Sequence, residues 1–191
     1  MMRALALAPL ALLAAACSSE PVEEEGDAVP VDVATPTPEP APDHRYTRLA
    51  DCTLLRSAPE EAGFYEHECA GLAGYRLVKV EADLRDNVIV IAPDGGRHNL
   101  GLPALANGAF SSLGDMVEWR GFEVAGDSPP QSLILRQSVM EDPDPGRPEA
   151  SYLLAVSLAG TPCVVARLPA GPDQNAQARA AADRGGACLG R

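Results

Sequence analysis

Tyr75-Arg76-Leu77-Val78-Lys79-Val80-Glu81-Ala82-Asp83-Leu84, followed after Arg85-Asp86 by Asn87-Val88-Ile89-Val90-Ile91, is the stretch that sets the fold class. In its first part Val78, Val80, Ala82 and Leu84 alternate with Lys79, Glu81 and Asp83. A period of two puts successive side chains on opposite faces, which predicts a half-buried strand. The second part is apolar on both faces and reads as a central strand, stopped by Pro93-Asp94-Gly95-Gly96. Further strands are expected over Asp115 to Val124, which holds the only tryptophan, Trp119, and over Ser132 to Val139. Tyr152, Leu154, Val156 and Leu158 share one face of another strand. Ala159-Gly160-Thr161-Pro162 then turns the chain into Cys163-Val164-Val165-Ala166-Arg167-Leu168 as a hairpin. Six or seven such strands make the domain mainly β, a small antiparallel sandwich or partly closed barrel. Asp173 to Arg184 breaks the pattern: alanine-rich, opened after Pro172 and closed by Gly185-Gly186, it predicts one short C-terminal α-helix.

The chain has 191 residues and a formal charge of -12. Residues 18–45 carry eight acids and one base, so more than half of the excess sits in a segment rich in proline and poor in large apolar residues. That segment cannot build a core and reads as an acidic, disordered tether, extended at up to roughly 3.1 Å per residue where polyproline geometry holds. Residues 46–191 form the single globular domain, long enough to bury a core without a metal. No basic stripe is present in either part, which argues against a nucleic-acid partner.

Ahead of the tether, Met1-Met2-Arg3 precedes the apolar run from Ala4 to Leu13, which gives way to Ala14-Ala15-Ala16-Cys17-Ser18. Charge, short apolar core and small residues come in the order of a signal peptide, and the run is well under the roughly 20 residues of a membrane-spanning helix. The alternative is an ordinary secretory leader cut near Ala16. Small residues ending directly on a cysteine resemble the lipobox of bacterial lipoproteins, although Ala14 stands where that family prefers leucine. The resemblance implies diacylglyceryl modification of the Cys17 thiol, cleavage before it, acylation of the new amine and anchoring in a membrane of the cell envelope. Ser18 resembles the residue following the lipidated cysteine in proteins sent to an outer membrane, facing the periplasm.

Cysteine parity links this leader to the domain. With Cys17 lipidated, Cys52, Cys69, Cys163 and Cys188 remain, an even set for two disulfides in an oxidising compartment. Of three connectivities, Cys52 with Cys69 and Cys163 with Cys188 close the short loops, each worth about 3 kcal/mol by chain entropy. Zinc is the alternative, but intervening lengths of 16, 93 and 24 residues contain no C-x-x-C pair. The segment from Cys163 through Gln174-Asn175-Ala176-Gln177-Ala178-Arg179 to Cys188 also resembles the C-terminus of uncharacterised proteobacterial envelope proteins.

Chemical motifs are sparse. No nucleophile elbow, zinc-protease, Walker or dinucleotide fingerprint occurs. Gly108-Ala109-Phe110-Ser111-Ser112-Leu113-Gly114 has the wrong glycine spacing for a nucleophile loop and reads as a connection. His67, between Glu66 and Glu68, reads as part of a solvated strand edge. Asp142-Pro143-Asp144-Pro145-Gly146 lacks the distal glutamate of a calcium loop and reads as a hairpin tip. The leading expectation is a non-catalytic, lipid-tethered envelope module that meets an envelope protein through a sheet face or edge, with no cofactor or metal. A hydrolase assembled from Ser111, His67 and Glu118 is one alternative, and a small-ligand pocket inside the barrel is the other.

Overall fold

The computed structural model describes residues 43–122, 128–142 and 149–190. The expected leader with Cys17, most of the tether and the tip at 143–148 lie outside the described residues. Ten strands form: β1 (His44–Arg48), β2 (Thr53–Ala58), β3 (Phe64–Ala70), β4 (Arg76–Ala82), β5 (Arg85–Ile91), β6 (Arg97–Asn99), β7 (Ser111–Arg120), β8 (Ser132–Val139), β9 (Ala150–Ser157) and β10 (Cys163–Pro169). A four-residue turn of helix, α1 (Leu102–Leu105), sits between β6 and β7, and α2 (Gln174–Arg184) ends the domain. Main-chain pairing runs β10-β9-β8-β7-β5-β4-β3-β2, with β1 on β7 and β6 on β5.

The sheet is mostly antiparallel and does not close. It consists of two antiparallel halves, β2 to β6 and β7 to β10 with β1, joined where Arg85 meets Ser111 in a parallel contact. The halves face each other across one core. Cys69, Leu77, Val88 and Val90 come from the first half; Val117, Trp119, Leu133, Leu135, Leu154, Val156 and Val164 come from the second. Trp119 is fully buried and donates its indole N–H to Thr47 Oγ1 at 2.8 Å, so its polar end is satisfied by β1. Gly71 is required beside it, because a Cβ there would stand 2.4 Å from the Tyr75 carbonyl oxygen and 3.0 Å from the Trp119 ring.

The outer face of β8 to β10 forms a second apolar layer. Ile134, Leu153 and Ala155 pack against Ala178, Ala181 and Ala182 of α2. Alanines let the helix approach closely, which explains a helix with no large apolar face. Its first turn lacks a side-chain cap, and Gln174 instead donates from Nε2 to the Leu168 carbonyl at 2.9 Å. Disulfides staple both halves: Cys52–Cys69 across β2 and β3, and Cys163–Cys188 from the start of β10 to the segment after α2. With the four thiols in two separate bonds, the zinc alternative falls away.

Several expectations are corrected. Among the described residues the strand count is ten because β1, β2, β3 and β6 have little apolar periodicity and form as hydrogen-bonding partners of the more apolar strands. β1 takes in His44 and Arg45, which composition assigns to the tether. β7 starts at Ser111, so the expected connection at Gly108 to Gly114 is half strand. Most consequential is β4. Its side toward the shared core is Leu77, Lys79 and Glu81, in register with Val90, Val88 and Asp86, while Val78, Val80 and Ala82 lie on the opposite face, where Val78 is fully buried. Leu84 is not in the strand: it forms the turn with Asp83, both at positive φ, and is exposed.

Candidate functional site

The three residues of the hydrolase alternative are not brought together. Ser111 and Glu118 both belong to β7, but strand alternation, which the register shift between Leu113 and Val117 preserves, puts Ser111 on the core side and Glu118 on the outer side. Ser111 pairs with Val139 of the inner row, and Glu118 pairs with Ile134 under α2. The sheet therefore stands between nucleophile and acid. His67 lies on β3, between β2 and β4 rather than at a free edge, opposite Leu54 and Lys79, with its ring stacked 6.3 Å from that of Tyr65.

Glu118 belongs instead to an ionic cluster that fastens α2 and β1 to the sheet. Its carboxylate accepts from Arg179 Nε and Nη2, both at 2.9 Å, from Arg120 Nη1 at 2.8 Å and from the Tyr46 hydroxyl at 3.1 Å. Burial works to raise its pKa, and these hydrogen bonds outweigh burial and leave it below the ordinary glutamate range. Arg120, buried at the end of β7, grips Asp183 of α2 with two bonds of 2.8 Å and also reaches Asp43 at 3.0 Å. Arg120 is held charged chiefly by the hydrogen bonds it donates to Asp183, against the cost of burial. Each acid here already has its cation, an arrangement suited to holding elements together.

A second polar cluster lies on the core side, near the junction of the two halves. Going along the first half from Leu77 and Val90 toward the Asp83-Leu84 turn, the inward row changes from apolar to charged: Lys79 beside Val88, then Glu81 opposite Asp86. Lys79 Nζ is 3.1 Å from Asp86 Oδ2 and 4.0 Å from Glu81 Oε2. The same Asp86 oxygen accepts the Leu113 N–H at 2.8 Å, so a side chain takes the place of a ladder bond just beyond the parallel contact. These groups line a cavity of about 330 Å³ that Ser111, Ser112 and Glu149 complete. Its apolar wall is Leu84, Phe110 and Met140, all exposed. Ser111 is 7% exposed, and its Oγ has no hydrogen-bond partner among the described residues. Sequence reading missed this cluster because it expected the charged residues of the Tyr75 to Leu84 stretch on the solvent face; Val78 is buried as expected, but Lys79 and Glu81 lie on the side that meets the shared core. The available signal was Asp86, an acid leading into an apolar strand, which needs a cation opposite it.

The ends of the sheet differ. β10 is covered: α2 lies over its outer face and Leu189 donates its N–H to the Val164 carbonyl at 2.8 Å. Among the described residues β2 pairs only with β3, and it is exposed from Thr53 to Ser57, with Leu54 at 52% and Leu55 at 53%. Leu55 is the extra residue of a bulge, since Leu54 pairs with His67 and Arg56 with Glu66. Among the described residues, no cluster of histidine, cysteine or acidic side chains is placed to hold a metal ion, and no helix is long and apolar enough to cross a membrane. No protein family model, no curated protein and no solved structure matches the chain.

Proposed function

We propose that the protein is a non-catalytic accessory module of a bacterial envelope. In this reading it is anchored by lipid on Cys17 and engages an envelope protein by adding an extended segment of that partner to the free edge of β2. The observation that carries the reading is the asymmetry of the two sheet ends, because β10 is capped by its own chain while β2 is exposed and carries Leu54 and Leu55. An edge strand presents main-chain donors and acceptors at strand spacing, and the chemistry that matches them is another extended chain with apolar side chains. The Cys52–Cys69 bond holds this edge to β3, so little ordering has to accompany binding. Opposite placement of Ser111 and Glu118 on β7 speaks against the hydrolase alternative. The lipobox-like Ala14-Ala15-Ala16-Cys17, with the parity of the remaining cysteines, supports the address.

Two measurements test the two parts. Acyl labelling in a bacterial host should mark the chain and be abolished by Cys17→Ser, with loss of the protein from the membrane fraction; labelling that persists in the variant overturns the anchor. A photoreactive residue placed at Leu55 should give a discrete protein adduct that the same residue at Ala159, in the β9–β10 turn, does not give, and Leu54→Lys should abolish it. Equal adducts at both positions, or none at position 55, would sink strand addition at this edge.

A further inference from the structure

β2 ends the sheet with no strand on its outer side among the described residues. We infer that Val29-Pro30-Val31-Asp32-Val33 of the tether adds to this edge as an antiparallel strand and is displaced when a partner binds. The inference rests on the reading of β2 as a strand-accepting edge and adds regulation to it. Residues 18–42 hold four large apolar side chains, Val22, Val29, Val31 and Val33, and three of them recur at alternate positions. That period puts all three on one face of an extended chain, a face that suits exposed Leu54 and Leu55. Acids at 23, 24, 25 and 27 bound the segment on one side and prolines at 36, 38, 40 and 42 on the other.

The position of Pro30 fits an edge strand. With the main chain of Val29, Val31 and Val33 bonded to β2, the missing N–H of Pro30 falls on the solvent side, where it costs no ladder bond. Pro30 also favours extended geometry at Val29, and together with Asp32 it blunts the new edge against a further strand.

Reach selects the orientation. The described chain begins at Asp43, directly before β1, which has five residues and so spans about 17 Å. The connection from β1 to β2 turns tightly, with the Leu49 carbonyl oxygen 2.9 Å from Cys52 Sγ, so Asp43 stands about one strand length from the start of β2. Residues 34–42 reach roughly 28 Å in polyproline geometry, enough to set Val33 beside Thr53 with Val29 toward Ser57, the antiparallel order. A linker this short presents the segment at roughly millimolar effective concentration, so a strand too weak to bind from solution still occupies the edge. Docking leaves residues 18–28 between Cys17 and the sheet, and displacement by a partner frees the rest of the tether's length.

Photo-crosslinking of the purified full chain, at one chain per micelle of a fixed nonionic detergent and with the photoreactive residue at position 55, tests this. Peptide mass spectrometry should find an adduct within one chain to the peptide that holds Val29 to Val33. Val29→Lys, Val31→Lys and Val33→Lys together should reduce it at least tenfold. Thr35→Lys, Thr37→Lys and Ala41→Lys together make the same change of charge with the valines kept, and should leave it within twofold. All six positions precede β1, so neither variant alters the core. In the bacterial envelope the valine variant should raise the yield of the partner adduct at position 55 several-fold. No adduct within the chain, equal loss in both variants, or an adduct joining two chains overturns the inference. A partner adduct that forms without the internal one leaves strand addition at β2 standing and removes the tether as its competitor, whereas absence of both removes strand addition itself.

Discussion

Glu118 shows how a residue that reads as a catalytic acid becomes a fastener. Four hydrogen bonds, donated by Arg179, Arg120 and Tyr46, converge on one carboxylate that is only 12% exposed. Hydrogen bonds to a charged group carry more stability than neutral ones, so Glu118→Gln should cost about 2 kcal/mol at pH 7, read from urea denaturation. Its pH dependence has a fixed sign. The folded carboxyl titrates below the unfolded value of about 4.3, so its contribution is complete above that pH and is lost as pH falls through the lower, folded value. The stability gap between wild type and Glu118→Gln should therefore be constant from pH 6 to 8 and narrow below about pH 4. A gap that widens in acid would contradict the assignment.

At the scale of elements, α2 is the piece whose stability is borrowed. Eleven residues with no large apolar side chain would not hold a helix alone in water. Ala178, Ala181 and Ala182 seat it on β8 to β10, Arg179 and Asp183 pin it to Glu118 and Arg120, and Cys163–Cys188 limits how far its C-terminal end can leave. Replacing Cys163 and Cys188 together by serine should cost about 3 kcal/mol of stability, as expected for closing a loop of this length. Hydrogen exchange of α2 amides should accelerate more than that of β8, because the helix is the element whose opening the bond restrains. Uniform acceleration across both would show that the bond acts on global unfolding alone.

For the whole molecule, the open sheet raises the question of whether its halves are separate folding units. Their backbone pairing is slight, with the parallel contact of Arg85 and Ser111 as the direct ladder link, but their side chains share one core. Tyr75 of the first half lies 6.1 Å from Trp119 of the second, ring centre to ring centre. Neither half can unfold without exposing the apolar face of the other, so unfolding should be a single transition. Near-ultraviolet circular dichroism, dominated by Trp119, and far-ultraviolet signal from the sheet should give coincident midpoints in urea. Separate midpoints would mean that the halves are independent.

Local pattern alone determined much of this protein. Tyr152, Leu154, Val156 and Leu158 alternate on one face, Ser132 to Val139 is bounded as β8, and Asp173 to Arg184 covers α2, because each segment is long enough for its period and its breakers to be read without knowing its neighbours. Cysteine spacing likewise matched the bonds formed. What local pattern could not supply was the identity of partners. β2 and β3 are strands because β4 lies alongside, and β1 exists because β7 offers an edge that Tyr46 and Thr47 then complete with Glu118 and Trp119. β4 is the clearest case. Val78 is buried as its pattern implied, yet the face that meets the shared core is that of Leu77, Lys79 and Glu81, since Lys79 meets Asp86 across the pair and the energy of that contact depends on a residue from another strand. Periodicity is carried by the chain in sequence order, whereas the choice of inward face, and with it the cavity at Ser111, is set by contacts between residues that only the folded sheet brings together.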